Sequence, residues 1–243
     1  MARRESVAIG PGTVEIAFTD RTDGDLRVLP PDTSEPDAVA SWRAEVAERR
    51  AKVVDLPWSW LRQVHGARAV LVTRPGEFAG AQADAAVTTR HGCAIAVSVA
   101  DCAPVILVAE AGVAAVHAGW RGLVGGVVDA AASQLRAVAG DPVAALVGPC
   151  IQPAAYEFGA DGLDEAVAAL GEEVRGETAW GTPGLDVPAG VRVACERAGW
   201  PPPTMIDACT SDDAYFSHRI RSDLGRQVAV AWLEPGGDAV VGG

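Results

Sequence analysis

The chain has 243 residues, 49% of them hydrophobic and 21% charged, which excludes a disordered or fibrous chain and is long enough to bury roughly 70–75% of its unfolded surface. Twenty Lys and Arg against 32 Asp and Glu leave a net charge of −12, so there is no basic footprint for a nucleic-acid backbone or an anionic membrane.

Arg3 and Arg4 precede no apolar stretch, so the N-terminus does not read as a secretory signal. Val7 to Asp20 alternates and turns at Gly10-Pro11-Gly12, which predicts two edge or meander strands. Asp32 to Asp37 offers a capping hydroxyl, early acids and a proline in the first turn, and Val39, Trp42 and Val46 follow at helical spacing. A helix is expected there, ending near Lys52. Strands are predicted over 59–64, 68–73, 84–89, 94–100, 105–109 and 113–116 from β-branched content and turn punctuation. In 94–100 large and small residues alternate, so that strand should pack closely on its small face.

The longest apolar run, 94–118, is interrupted by Asp101, Pro104, Glu110 and His117 and does not read as a membrane span. After Gly119-Trp120-Arg121-Gly122, the residues Leu123, Val127, Ala131 and Leu135 predict one amphipathic helix that stops at Gly140-Asp141-Pro142. A strand at 144–147, helices at 161–170 and 186–198, and a closing strand at 227–233 complete the map, with a glycine-rich tail over 235–243 expected to fray. Strands cluster first and helices are interspersed later, which indicates an α+β chain in a single domain spanning 1–243. No G-x-G-x-x-G or P-loop pattern follows a predicted strand, so dinucleotide binding is not supported. Five cysteines without a C-x-x-C pair argue against a disulfide framework, and a cytoplasmic location is expected.

Chemistry concentrates where apolar strands give way to turns. Arg62-Gln63-Val64-His65-Gly66, Ala100-Asp101-Cys102-Ala103-Pro104 and Val116-His117-Ala118-Gly119-Trp120-Arg121-Gly122 each place metal-capable side chains at such a junction. If those strand ends converge, His65, Cys102 and His117 supply three ligands for zinc and leave a fourth position for water, the pattern of a catalytic site. Structural roles account for the same residues one at a time: a hydrogen-bonded histidine, a small core cysteine, a plain turn. His91 and Cys93, flanking Gly92, read as structural.

Taken together these segments resemble the YfiH family of laccase-domain proteins, historically called multicopper polyphenol oxidases. The likeness extends to Ala83-Asp84-Ala85, to Gly148-Pro149-Cys150-Ile151 with Tyr156-Glu157, and to Cys209-Thr210 with Phe216-Ser217-His218-Arg219. The resemblance implies two mixed β-sheets with flanking helices and a catalytic zinc on His65, Cys102 and His117, with copper a poorer fit. It also implies purine nucleoside phosphorylase activity on adenosine, inosine or methylthioadenosine, together with adenosine deamination through a zinc-activated water. The family usually continues Arg-Arg-Asp-Gly after the Phe-Ser-His segment, whereas this chain has Arg219-Ile220-Arg221-Ser222.

The expected small-molecule partners are therefore purine nucleosides and phosphate, with no nucleic acid and no membrane. The turn at Gly119 and the side chains of Arg121, Arg62 and Arg219 are the candidates to meet phosphate; lysine occurs once in the chain, so each arginine carries less information than usual. Asp101 is a candidate acid/base group or an acceptor fixing a ligand histidine. Four histidines in the whole chain cannot furnish the several copper centres of a multicopper oxidase. Two other readings remain open: a hydrolase with Cys102 as nucleophile and His117 as base, and a non-catalytic, metal-stabilised interaction module.

Overall fold

The computed structural model describes residues 1–10, 12–27 and 35–235. The capping residues at 32–34 and the tail over 236–243 lie outside the described residues. The chain opens with the antiparallel hairpin of β1 (Arg3–Ile9) and β2 (Gly12–Phe18). After α1 (Pro36–Val53) come β3 (Trp58–Arg62), β4 (Ala69–Val72), β5 (Ala81–Gln82), β6 (Ala85–Thr88), β7 (Ala94–Val99), β8 (Ala103–Ala109) and β9 (Gly112–Ala118). Next are α2 (Trp120–Val124), α3 (Val127–Ala139), β10 (Pro142–Val147), α4 (Ala160–Leu170), β11 (Arg175–Glu177), β12 (Pro183–Leu185) and α5 (Val187–Arg197). The last described elements are β13 (Thr204–Met205), α6 (His218–Arg221) and β14 (Gln227–Pro235).

These strands form two mixed six-stranded sheets, ordered β1-β2-β14-β7-β3-β5 and β13-β10-β8-β9-β6-β4, as an α+β architecture requires. Period-two alternation gives every central strand two apolar faces. Ile95 and Val97 of the first sheet meet Ile106, Val113 and Ala115 of the second in the space between the sheets. The opposite face of the second sheet carries Val105, Leu107 and Val116, packed under the helices with Val127, Leu135 and Val191. Ala94 and Ala96, the small face of β7, pack with Leu26, Val53 and Trp58 on the outside of the first sheet. α1 adds little to any core, burying Val46 and Val53 alone and holding its exposed face with Arg49–Glu45 and Lys52–Glu48 pairs.

The helix predicted to run from Leu123 past Leu135 is two helices. Gly126 adopts a left-handed conformation, φ +81°, and breaks the run after α2. This matters for the site, because a five-residue α2 has little dipole to offer an anion.

Connectivity puts chemistry at one end of the molecule. β3 and β7 run parallel, so the residues following Arg62 and Val99 emerge side by side. The chain then crosses into the second sheet at β8, whose first residues pair with the last of β9, Ala103 with Ala118 and Pro104 with His117. Four strand termini thus open onto a common end.

Candidate active site

His117 sits on the face of β9 that also carries Val113 and Ala115, and so projects between the sheets at their open end. It is buried, and its Nδ1 lies 2.9 Å from Oδ1 of Asp84, which has no solvent exposure at all. An ionised carboxylate can only accept, so Nδ1 carries the proton and Nε2 is left for the site. The same carboxylate accepts from the backbone N–H groups of Val64, His65 and Gly66 at 2.9–3.2 Å. Those three donors curl around Asp84 and hold His65 at φ +59°, a left-handed conformation uncommon outside glycine. One buried acid therefore sets the orientation of both histidines.

His65 Nε2 lies 3.7 Å from Cys102 Sγ, and the two imidazoles meet edge to face with centroids 4.9 Å apart. Donor atoms of His65, Cys102 and His117 all fall within 4.8 Å of one another, the one such grouping of three among the described residues. A tetrahedral metal with ligand bonds of about 2.0–2.3 Å needs donors roughly 3.3–3.8 Å apart, so small side-chain adjustments suffice to admit one.

Electrostatics favours the same conclusion. Burial pushes the Cys102 thiol up, but the positive charge and hydrogen bonds of His117 and His65 outweigh it and bring the thiol down to about 6. Burial likewise pushes His117 down, and the Cys102 thiolate with Asp84 raises it to about 9. Asp84 feels burial upward, yet the hydrogen bonds from His117 and the 64–66 backbone hold it below the usual carboxylate range. The cluster thus keeps a thiolate beside a positive charge, a role that a proton plays in the free protein and a cation can take over.

Gly119 has an ordinary φ of −75°. Its lack of a side chain matters because a Cβ there would stand 2.7 Å from His65 Cδ2 and 3.0 Å from Cys102 Sγ. Gly119→Ala is expected to displace both side chains and weaken metal binding about 10-fold or more, the order seen when the support of a ligand is lost. Metal titration against a chromogenic chelator reads this directly; unchanged affinity would show that the ligands do not need this close packing.

The trio opens into a cavity of about 630 Å³. Trp120 and Tyr156 line one wall, and each meets Phe158 edge to face, with ring centroids 5.2 and 5.3 Å apart. Arg121 lies over Trp120 at 4.3 Å and Arg219 over Tyr156 at 4.5 Å. Neither guanidinium has a carboxylate partner among the described residues; Arg219 donates instead to the carbonyl of Glu157. Stacking fixes two cations without neutralising them. Arg62, the third predicted arginine, is exposed on the same cavity. The Tyr156 phenol, pushed up to about 12 chiefly by burial, stays protonated and available as a donor. A second cavity of about 340 Å³, between α4 and the β11–β12 hairpin, shares no residue with the first.

Of the two roles weighed for Asp101, the contact that fixes a ligand histidine is made by Asp84, and Asp101 bonds elsewhere. Its Oδ1 accepts from the hydroxyls of Thr210 and Ser217 at 2.7 Å, and its Oδ2 from Arg219 N–H at 2.6 Å. With a φ of +96°, it lies on the same cavity and anchors the segment that carries Arg219. Arg221 donates to the carbonyls of Thr210, Ser211 and Tyr215 and so closes the loop beneath that segment. His91 Nδ1 lies 3.2 Å from the carbonyl of Leu233, and His218 lies on the cavity wall outside the trio. Reading residues singly missed the part of Asp84, although a lone acid between Ala83 and Ala85 in an apolar strand is a visible signal.

Comparison with known proteins agrees with this picture. The family described as multi-copper polyphenol oxidoreductase laccase matches residues 30–234. A Streptomyces coelicolor protein named purine nucleoside phosphorylase is 38% identical over 230 residues, covering 89% of this chain and 94% of the relative. A Pseudomonas aeruginosa protein of the same name is 34% identical, covering 82% of each. Among solved structures, a Neisseria meningitidis protein superposes with a TM-score of 0.76 at 28% identity, over 95% of this chain and 99% of that one. YlmD from Geobacillus stearothermophilus has the same TM-score at 24% identity over 93% of each chain, a likeness of fold.

Proposed function

The chain belongs to the family described as multi-copper polyphenol oxidoreductase laccase, and on that premise we propose that it is a metal-dependent purine nucleoside phosphorylase. Relatives matched over most of their length carry that name. The observation that carries the reading is the meeting, in one cavity, of the His65–Cys102–His117 donors with the carboxylate-free guanidiniums of Arg121 and Arg219.

Phosphorolysis joins a phosphate oxygen to C1′ of the ribose while the C1′–N9 bond breaks, giving ribose 1-phosphate and a purine that takes up a proton. Two guanidiniums held in place by aromatic rings would bind and orient the phosphate, the positioning and charge stabilisation such a displacement needs. Trp120 and Tyr156 offer the apolar surface on which a purine and its ribose can lie. His65, Cys102 and His117 would hold zinc, which two imidazoles and a thiolate suit well. When bound, zinc supplies Lewis acidity and lowers the pKa of water to about 7, the requirement for adenosine deamination as a second activity. Adenosine, inosine and methylthioadenosine are the proposed nucleosides. Four histidines in the chain, two of them outside the cluster, give no basis for several copper centres, so phenol oxidation is not part of the reading.

Metal-replete protein supplied with adenosine and phosphate should release adenine and ribose 1-phosphate, and should form inosine whether or not phosphate is present. Absence of base release from zinc-loaded protein would reject the phosphorylase. The lowered thiol supports a second reading, Cys102 as nucleophile with His117 as its base. That reading requires the native protein to be metal-free and alkylated stoichiometrically at Cys102 by iodoacetamide; stoichiometric zinc with no trapping of Cys102 removes it. Binding of inosine or adenosine seen by calorimetry counts against a non-catalytic, metal-stabilised interaction module.

A further inference from the structure

The wall opposite Trp120 and Tyr156 is made by the end of the first sheet, and its polar side chains follow the order of the strands. Arg27 comes from the segment after β2, Arg226 immediately precedes β14, Ser98 lies near the end of β7, and Arg62 ends β3 with Gln63 directly after it. All five line the 630 Å³ cavity. Register explains the row: Ser98 pairs with Val228 and Val99 with Gln227, which brings Arg226 beside the end of β7. Leu26 N–H donates to the carbonyl of Arg226, which brings in Arg27.

Two observations mark this wall as a binding surface. Ser98 is more than nine-tenths buried, and its hydroxyl is without a hydrogen-bond partner among the described residues. Its backbone is nonetheless held rigidly, since Gln63 Nε2 donates to its carbonyl at 2.7 Å and Gln63 Oε1 accepts from its N–H at 2.8 Å. A buried hydroxyl left unpaired in a fixed frame bears a desolvation penalty that a ligand can relieve.

The guanidiniums are the second observation. Arg226 spends one nitrogen, Nη1, on the carbonyls of Asp223 and Gly225, leaving Nε and Nη2 with no protein acceptor among the described residues. Arg62 has no protein acceptor among the described residues. Asp25, bonded to Arg27 and to the backbone of Arg226, is the one carboxylate among the described residues that touches any of these three arginines. Such a concentration of uncompensated donors in a chain of net charge −12 suits acceptor oxygens bearing negative charge.

We propose that Ser98, Arg62 and Arg226 form a second oxyanion subsite, across the cavity from Arg121 and Arg219, that takes a phosphoryl group. The group can arrive as free phosphate or as a phosphate ester on a nucleoside. The ester form rests on the nucleoside reading above, whereas the free-ion form does not.

Calorimetric titration of the protein with inorganic phosphate should show two equivalents bound per chain, falling to one in Arg226→Met and in Ser98→Ala. A single equivalent in the wild type, or two retained in both variants, overturns the subsite. Circular dichroism and melting curves confirm that the variants are folded, and Arg62→Gln, at an exposed side chain, repeats the test with least risk to the fold. Titration with adenosine and adenosine 5′-monophosphate then separates the sources. If the ester is the ligand, the monophosphate binds at least about 10-fold tighter than adenosine and Ser98→Ala collapses the ratio. A ratio of one overturns the ester and leaves the subsite to free phosphate. A ratio abolished by Arg121→Gln but kept in Ser98→Ala also overturns it, by placing the phosphoryl group on the other wall. Failure of adenosine itself to bind counts against the nucleoside reading alone, since the phosphate stoichiometry is read without it.

Discussion

Cys102→Ala should strip the protein of bound metal and take phosphorolysis to background while leaving the fold intact. The sulfur is the one donor in the cluster that brings a full negative charge, and both imidazoles face it. Without it two neutral nitrogens remain, too few for a tetrahedral site that must also keep a position open. Loss of the Lewis acid removes several kcal/mol of transition-state stabilisation, so the rate should fall on the order of 10³-fold or more. His65→Ala and His117→Ala should behave alike. His91→Ala is the control, because His91 contacts the Leu233 carbonyl away from the trio and its loss should change neither metal content nor rate. The measurement is metal content by mass spectrometry alongside single-turnover adenine release. Wild-type turnover by Cys102→Ala protein would sink the metal-dependent mechanism, and full turnover by metal-stripped wild type would do the same without any substitution.

How much of this could be read from residues depends on the length of the element that carries it. Strands such as Ala94–Val99 and Ala103–Ala109 are buried on both faces, so their apolar runs were visible and their bounds came within a residue or two. The helix expected over 186–198 is present as Val187–Arg197 despite Gly190, and Asp186 caps it by accepting from Ala189 N–H. β5, β11, β13 and α6 are two to four residues long and have no period to read. The break at Gly126 was hidden because the apolar spacing continues through it; what ends α2 is backbone conformation, which spacing does not report.

The site divides in the same way. His65, Cys102 and His117 were legible as residue types at strand ends, yet that they converge follows from the parallel pairing of β3 with β7 and the β8–β9 register, which the sequence does not spell out. The partners of Asp101 were hidden for a related reason. Its neighbour Cys102 faces the histidines, but a φ of +96° turns the chain between them, and the carboxylate serves Thr210, Ser217 and Arg219, more than a hundred residues away. Arg27, Ser98 and Arg226 carry no motif at all and become a group through sheet order alone.

Asp84→Asn should cost nearly as much as losing a ligand, although Asp84 touches no substrate and cannot reach the cavity. An amide has the size of the carboxylate but offers one acceptor oxygen where the native group has two, and it adds two donors. If the NH₂ takes the place of Oδ1, it faces both the His65 N–H and His117 Nδ1, leaving the first unpaired and meeting the second only on a ring whose proton has moved to Nε2, the nitrogen needed for metal. If it takes the place of Oδ2, it faces the Gly66 N–H instead, and the 64–66 turn that positions His65 loses one of its anchors. Either arrangement misaligns one of the two histidines, and metal affinity should fall about 10–100-fold. Leaving buried donors unpaired should also destabilise the fold by about 1–3 kcal/mol per group. A general loss of structure would lower every property together, whereas misplaced ligands predict a split. Excess zinc should recover turnover in Asp84→Asn while its melting temperature in the metal-free state stays low, and the KM for phosphate should not change because Arg121 and Arg219 stand on another wall. Nitrogen NMR of the imidazoles gives the tautomer directly: Nδ1–H for His117 in zinc-loaded wild type, with the Nε2–H form rising in the variant. Wild-type zinc affinity in a folded Asp84→Asn protein would remove Asp84 from the mechanism and leave the orientation of His117 to the packing of β9 alone.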